Sequence, residues 1–359
     1  TGPAEQGRPT HNVGAPNGAQ IRPIMSRHDA ASVPDRLREA GGLLEGVARD
    51  IARETGVPEA HVWGIGSFYH MLSRSEAKVR VCTGLSCLLG GAQDVLDAAK
   101  AQGLPVEEAS CLAGCDVPPA VLRDRRTMPH VTVDDVKAAG SDWSKLDSAA
   151  APGETEWTGA VGPEGAADGE LAIDLCKPAA PLGAAFKAAS ELGPEGVIDL
   201  LEAAGLQGRG GAGFPAHIKW RGVAGQAEQE RFVVLNADEG EPGTFKDREC
   251  MLRRPDLVLE GLAIAAHAIG AKDCYLYLRG EFEVPLGIIR RMIDEAHASG
   301  IYGDIHFHTH EGNGAYICGE ETALLEALEG KRGMPRIKPP FPVEVGLWGK
   351  PTLIHNVET

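Results

Sequence analysis

Four of the chain's eight cysteines fall into two tight pairs, within "VCTGLSCLLGG" (residues 81–91) and "SCLAGCDVPPAV" (residues 110–121). Cys82 and Cys87 have four residues between them, Cys111 and Cys115 have three, and 23 residues separate the pairs. Each pair sits where a strand pattern runs into a glycine-containing loop, a place where two thiolates can be brought to one point. Soft thiolates at such spacings suit an iron–sulfur cluster or zinc. Spacing alone leaves both open. A disulfide framework is the competing reading, and the start of the chain argues against it. That start lacks a basic stretch, an apolar core and a cleavage site, so a cytoplasmic location with reduced thiols is expected.

The rest of the composition removes whole classes of function. A net charge of −16 with no basic run argues against nucleic acid as a partner. No apolar run approaches the ~20 residues of a membrane span, so direct membrane insertion is not expected. At 359 residues, 43% hydrophobic and 24% charged, the chain has room for two or three soluble domains. It begins with Thr1 rather than Met, as a processed or partial sequence would.

Periodicity divides the chain. Residues 1–22 are rich in Gly, Pro, Asn and Gln and read as a disordered tail. Residues 23–76 read as helical, with Leu37, Leu43, Leu44, Val47 and Ile51 at helical spacing and a second helix opened by Pro58. Residues 77–140 begin with the strand "KVRVC", continue through the helix "GAQDVLDAAKAQG", and end in an apparent hairpin, "PAVLRDRRTMPHVTVDDV". Residues 141–170 are poor in large aliphatics and read as a linker. From 171 to 359, strands such as "RFVVLNADEG" and "DCYLYLRG" alternate with helices of 10 to 15 residues, which implies an α/β unit with parallel pairs.

The first arrangement, "C-T-G-L-S-C … C-L-A-G-C-D-V-P-P-A", resembles the thioredoxin-like [2Fe–2S] ferredoxin domain of the 24-kDa-type subunit of respiratory complex I. The preceding "GIGSFYHML" resembles the helical segment that comes before that domain. The resemblance implies that Cys82, Cys87, Cys111 and Cys115 are the ligands of a [2Fe–2S] cluster.

Three further blocks carry a second resemblance: "GLQGRGGAGFPAHIKW" (205–220), "NADEGEPGTFKDRE" (236–249), and "GNGAYICGEETALLEALEGKRGMPRIKPPFP" (312–342). The first is a glycine-rich loop that lets backbone N–H groups approach a flat or phosphorylated ligand, weak evidence by itself. The second crowds carboxylates beside an apolar strand, which is costly unless they serve a ligand or a solvated cleft. Together they resemble the 51-kDa-type flavoprotein subunit of complex I, which also serves NAD-dependent formate dehydrogenases and NAD-reducing hydrogenases. The implied fold is α/β: a thioredoxin-like ferredoxin domain with a helical N-terminal segment, then a flavin- and NAD-binding domain. The implied activity is FMN-dependent NADH dehydrogenation, or NAD⁺ reduction, beside the catalytic subunit of a larger redox complex of the formate dehydrogenase, hydrogenase or complex I type.

By position, the resemblance assigns FMN to Gly208, Arg209, Gly210, Gly211, Lys219, Asn236, Asp238, Glu239, Tyr316, Gly319, Glu320 and Asn356. It assigns NADH to Phe214 and Phe341, which would stack on adenine, and to Glu241, Glu321 and Lys338; Glu239 and Glu241 are the expected catalytic carboxylates. Carboxylates at 241 and 321 would also disfavour the 2′-phosphate of NADP(H).

Three departures stand out. Gly222 replaces a frequent aromatic residue, His355 replaces Asn in the family's "NNVET", and the C-x2-C-x2-C motif of a [4Fe–4S] domain is not within the 359 residues, as in a C-terminally truncated chain. A non-catalytic electron carrier with a decayed flavin pocket is the alternative function. "HFHTH" places His306, His308 and His310 on one strand face, read as solvated rather than metal-binding, and Cys176, Cys250, Cys274 and Cys318 read as small buried residues.

Overall fold

The structure, a computed structural model, describes residues 27–73, 79–103, 105–146, 175 and 181–359. The expected tail at 1–22, Cys176 and most of the expected linker lie outside the described residues; the linker's first residues include a 3-10 turn at Trp143–Leu146.

The described chain opens with helices α1 (Arg27–Glu39), α2 (Val47–Thr55), α3 (Glu59–Phe68) and α4 (His70–Ser73). Gly46 and Gly56, with φ of 87° and 75°, take the left-handed conformation that starts and stops α2, and Pro58 precedes α3. The cysteine-bearing unit follows: β1 (Val79–Cys82), α5 (Leu85–Leu89), α6 (Ala92–Ala101), β2 (Val106–Ala109), β3 (Val121–Arg123), β4 (Arg126–Met128) and α7 (Val133–Ala139). Its sheet has the order β2-β1-β3-β4, with β1 parallel to β2 and antiparallel to β3. A capping box starts α7: the Thr132 hydroxyl accepts from Asp135 N–H, and the Asp135 carboxylate accepts from Thr132 N–H.

The C-terminal unit contains α8 (Ala184–Ala203), α9 (Ala216–Ala224), β5 (Phe232–Ala237), α10 (Lys246–Arg253), α11 (Pro255–Ile269), β6 (Asp273–Leu278), α12 (Glu283–Ser299), β7 (His306–Glu311), α13 (Glu321–Leu328) and β8 (Thr352–Asn356). Its sheet is parallel throughout, in the order β7-β6-β5-β8. Both faces of β5 are covered, as a parallel strand requires. Val233 and Leu235 point into a core shared with α8, α9, α11 and α12. Phe232 and Val234 point the other way, into a second core.

That second core contains Val33, Leu37, Ile51, Val62, Ile65, Tyr69 and Leu72 together with Leu324, Leu328 and Ile354. The helical segment therefore completes the C-terminal unit's sheet, although the cysteine-bearing unit follows it in sequence. Backbone bonds fasten it there: His70 and Met71 N–H donate to the carbonyls of Gly314 and Asn313 at 3.0 and 3.1 Å. Glu311, at the end of β7, pairs with Arg125 at 2.7 Å and lies 3.9 Å from Arg38, so one carboxylate joins all three parts of the chain.

Candidate functional site

Cys82, Cys87 and Cys111 are buried and Cys115 is partly exposed; none is in a disulfide. They come as two pairs. Cys111 and Cys115 Sγ lie 3.6 Å apart, and a hydrogen bond from Cys87 draws the Cys82 thiol down to about 7. In the other pair, the bond from Cys115 draws Cys111 down to about 6, against burial and with help from the Arg279 charge. Cys87 and Cys115 are pushed up because each keeps the shared proton. Among the described residues no group of three or more His, Cys, Asp or Glu side chains is arranged around a single ion. Two separate thiol pairs, rather than four thiols around one point, suit a cluster in which each of two irons takes two cysteines better than a single tetrahedral zinc.

Beyond the C-terminal ends of β5 and β8 lies a cleft of about 510 Å³, where parallel α/β sheets place their ligands. It is lined by Arg209, Gly210, Gly211, Asn236, Asp238, Glu239, Gly240, Glu241, Thr244, Lys246, Asp247, Tyr316, Ile317, Gly319, Glu320 and Asn356. The glycine loop is pinched at its base, where Gly208 N–H donates to Phe214 O at 2.9 Å and Ala216 N–H to Leu206 O at 2.9 Å. Gly211, at φ 117°, holds a conformation that L-residues rarely adopt, which keeps the loop's backbone open to the cleft.

The acidic residues divide into distinct tasks. Glu239 accepts from the backbone N–H of Asp247 at 3.0 Å and of Arg248 at 3.3 Å, so both its oxygens serve the start of α10. Glu241 accepts from Tyr316 OH at 2.6 Å, on the far side of the cleft. Asp238 Oδ2 is buried without a partner among the described residues, and burial pushes this carboxyl up to about 7. Glu320 caps α13 through the N–H groups of Thr322 and Ala323, both at 2.9 Å. Lys338 reaches Glu320 at 2.9 Å and Glu321 at 2.8 Å, while Lys219 lies 3.6 Å from Glu321.

Of the residues assigned from sequence, Arg209, Gly210, Gly211, Asn236, Asp238, Glu239, Glu241, Tyr316, Gly319, Glu320 and Asn356 converge on the cleft. Gly208, Phe214, Lys219, Glu321, Lys338 and Phe341 do not line it. Lys219 and Lys338 meet at Glu321, and Phe214 and Phe341 are about half exposed, at 50% and 51%. Lys246 and Asp247 were missed. Lys246 Nζ bonds Asp247 at 2.5 Å and Asn356 at 2.8 Å, and Asn356 returns a bond to Asp247 at 2.5 Å. Their signal was the charged run "FKDRE" right after the acidic loop. His355 does not reach the cleft: Trp220 donates to its Nε2 at 2.7 Å, and burial lowers its pKa to about 3. The histidines of β7 do not converge. His308 stacks on Tyr275 and bonds Asp273, His310 stacks on Tyr277, and His306 faces His297.

The thiol site and the cleft share a wall. Gly243 N–H, in the acidic loop, donates to Cys115 Sγ at 3.2 Å. Arg248, on α10, donates to Ala113 O at 2.8 Å and grips both oxygens of Asp116 at 3.0 and 2.5 Å. A small void between the two sites is lined by Cys111, Asp238, Gly240 and Tyr316.

The glycine floor, the orphaned Asp238 oxygen and the Lys246 cation suit a flat, hydrogen-bonding, anionic group such as FMN. Comparisons with known proteins agree. Residues 35–143 match the thioredoxin-like [2Fe–2S] ferredoxin family and residues 201–359 match the Nuo51 FMN-binding domain. An NADH-quinone oxidoreductase subunit from Aquifex aeolicus (strain VF5) is 50% identical over 183 residues, 49% of this chain and 43% of that protein. Its counterpart from Rhizobium meliloti (strain 1021) is 50% identical over 181 residues, 48% and 43% of the two chains. The chain thus matches less than half the length of these curated relatives. An NAD⁺-reducing [NiFe]-hydrogenase in its H2-reduced state superposes with a TM-score of 0.77 at 29% identity, over 92% of this chain and 60% of that one. The chain therefore joins a region that matches the thioredoxin-like [2Fe–2S] ferredoxin family to one that matches the Nuo51 FMN-binding domain.

Proposed function

We propose that this chain is a diaphorase module, exchanging a hydride with NAD(H) in the cleft and single electrons with a cluster on Cys82, Cys87, Cys111 and Cys115. The observation that carries this reading is the shared wall, where the loop bearing Asp238 to Glu241 also donates to Cys115 Sγ through Gly243. Bound FMN supplies the two-electron to one-electron conversion that such a juxtaposition requires. The protein's own groups hold and orient. Asp238 offers its free oxygen to a ring or ribityl donor, and Lys246 with Arg209 offers positive charge to a phosphate. Glu239 fixes the acidic loop to α10, and Glu241 with Tyr316 frames the dinucleotide entrance. Phe214 and Phe341 give exposed aromatic faces to adenine, and Lys338 with Glu321 borders its path.

Among the described residues no helix is long and apolar enough to cross a membrane. We place the chain in the cytoplasm, where thiols stay reduced for cluster assembly. There it would be held beside a catalytic subunit of the hydrogenase, formate dehydrogenase or complex I type, with the domain limits set out above.

The test is a visible and EPR spectrum of the anaerobically purified protein before and after NADH. The expected result is flavin and cluster absorbance at rest, flavin bleaching, and the EPR signal of a reduced two-iron cluster. Cluster absorbance without flavin would instead favour a non-catalytic carrier, and a colourless four-cysteine unit would favour zinc.

A further inference from the structure

Arg279 follows β6 and is buried, yet its guanidinium joins the cysteine-bearing unit to the acidic loop. One end donates to the carbonyl of Cys111 at 2.8 Å, beside the thiol site. The other end donates to the carbonyl of Glu239, in the acidic loop. Its Nε donates to Glu281 Oε2 at 3.1 Å, and that carboxylate is also buried. The small void between the two sites also touches both members of this ion pair, but on the Gly280 side the packing is tight. A Cβ at Gly280 would run into Gly312 O and meet Met71 Sδ at 2.8 Å, and His70 Nε2 lies 3.8 Å from Glu281 Oε1.

A salt bridge of this kind is poor as a stabilising device, because desolvating two charges offsets most of their attraction. Its orientation suggests another use. Arg279 bonds the Cys111 backbone directly, whereas Glu281 is bonded to Arg279. Reducing the cluster adds one electron and, with four thiolate ligands, no obligatory proton, so the added negative charge meets the positive end of the pair first. In a water-poor interior that difference is weakly screened.

We infer that the Arg279–Glu281 pair sets the reduction potential of the [2Fe–2S] cluster, with Arg279 raising its electron affinity and Glu281 moderating that effect. Arg279 acts through the field at Cys111 and does not touch the reacting atoms. The inference rests on the cluster assignment proposed above and adds to it a cause for the cluster's potential.

The test is a dithionite titration followed by EPR on the whole protein and on Arg279→Met, Arg279→Lys and Glu281→Gln, with thermal melts in parallel. Arg279→Met is expected to lower the cluster's electron affinity roughly tenfold, about 59 mV for a one-electron couple. Glu281→Gln, which leaves the cation unopposed, is expected to raise it by a similar factor. Arg279→Lys keeps the charge and should stay near the wild-type potential even if it melts earlier. If Arg279 is only a clamp between the two units, the variants lose melting temperature together and their potentials do not move. That outcome would overturn the inference while leaving the cluster assignment intact, whereas absence of a two-iron signal in the wild type would overturn the assignment itself. Should Arg279→Met fail to fold, the upward shift in Glu281→Gln decides alone.

Discussion

Asp238 is a buried carboxyl with one orphaned oxygen, raised by burial from 3.8 to about 7 in spite of the Arg279 charge. The sign of its effect on stability follows directly. Between those two values the folded protein holds a proton that the unfolded chain has lost, so stability falls as pH rises from about 4 to about 7 and is flat above. Asp238→Asn removes that penalty. Flavin-free Asp238→Asn should therefore melt higher than wild type at pH 8, with a smaller gap at pH 5; a gap that grows toward low pH would contradict the assignment. Saturating FMN should narrow the gap at pH 8, because a flavin donor would then satisfy the orphaned oxygen. Glu321 changes meaning for a similar local reason. Read from sequence it is a bare carboxylate repelling a 2′-phosphate, but in the fold it lies between Lys338 and Lys219 at 2.8 and 3.6 Å. The helix cap is Glu320 instead. Glu321→Gln would remove the carboxylate that Lys219 and Lys338 share, leaving Lys338 with Glu320, and partial exposure of the site tempers the gain. A three- to tenfold rise in kcat/KM for NADPH relative to NADH is expected, and an unchanged ratio would show that Glu321 takes no part in cofactor choice.

At the scale of elements, α10 does the joining. Its first turn holds Glu239 in place, its Lys246 and Asp247 line the cleft, and its Arg248 clamps the cysteine-bearing unit. Arg248→Ala would leave Ala113 O and the partly exposed Asp116 short of a partner, a change that costs about 1–3 kcal/mol. NADH should still bleach the flavin of this variant at the wild-type rate, while cluster reduction slows at least tenfold. Equal slowing of both steps would mean that the helix matters to the cleft alone. The sequence showed β5 and β6 as short apolar runs alternating with helices, whereas β8 was not read and the glycine loop gained meaning only beside the acidic block. Cys82, Cys87, Cys111 and Cys115 were legible, since thiols crowd together only for a shared purpose. Lys246 and Asp247 were not, because a charged run after a loop is usually just a solvated helix start. His355 misled in the opposite direction: its neighbour Asn356 lines the cleft, but strand alternation turns the His355 ring away, toward Trp220.

The largest feature hidden from the sequence is where α1 to α4 pack. Their apolar stripes were visible, but nothing local says which surface they cover, and the nearest unit along the chain is the wrong one. Leu37, fully buried, is the test. Leu37→Ala should cost about 2–5 kcal/mol, and the loss should appear as weaker FMN retention while the cluster's absorbance survives. Loss of the cluster first would place α1 with the other unit. This packing also makes the cysteine-bearing unit an insertion between two pieces of a single core, and the order of synthesis then matters. As the chain leaves the ribosome, Leu37, Ile51, Val62 and Leu72 emerge long before Phe232 and Val234, their partners on β5. At about 5–20 residues per second that delay is on the order of ten to thirty seconds. During it the nascent helices carry an uncovered apolar face while the inserted unit can already close around its thiols. Stalled nascent chains ending near residue 200 should accordingly bind a holdase through residues 33–73, and chains that include β8 should release it.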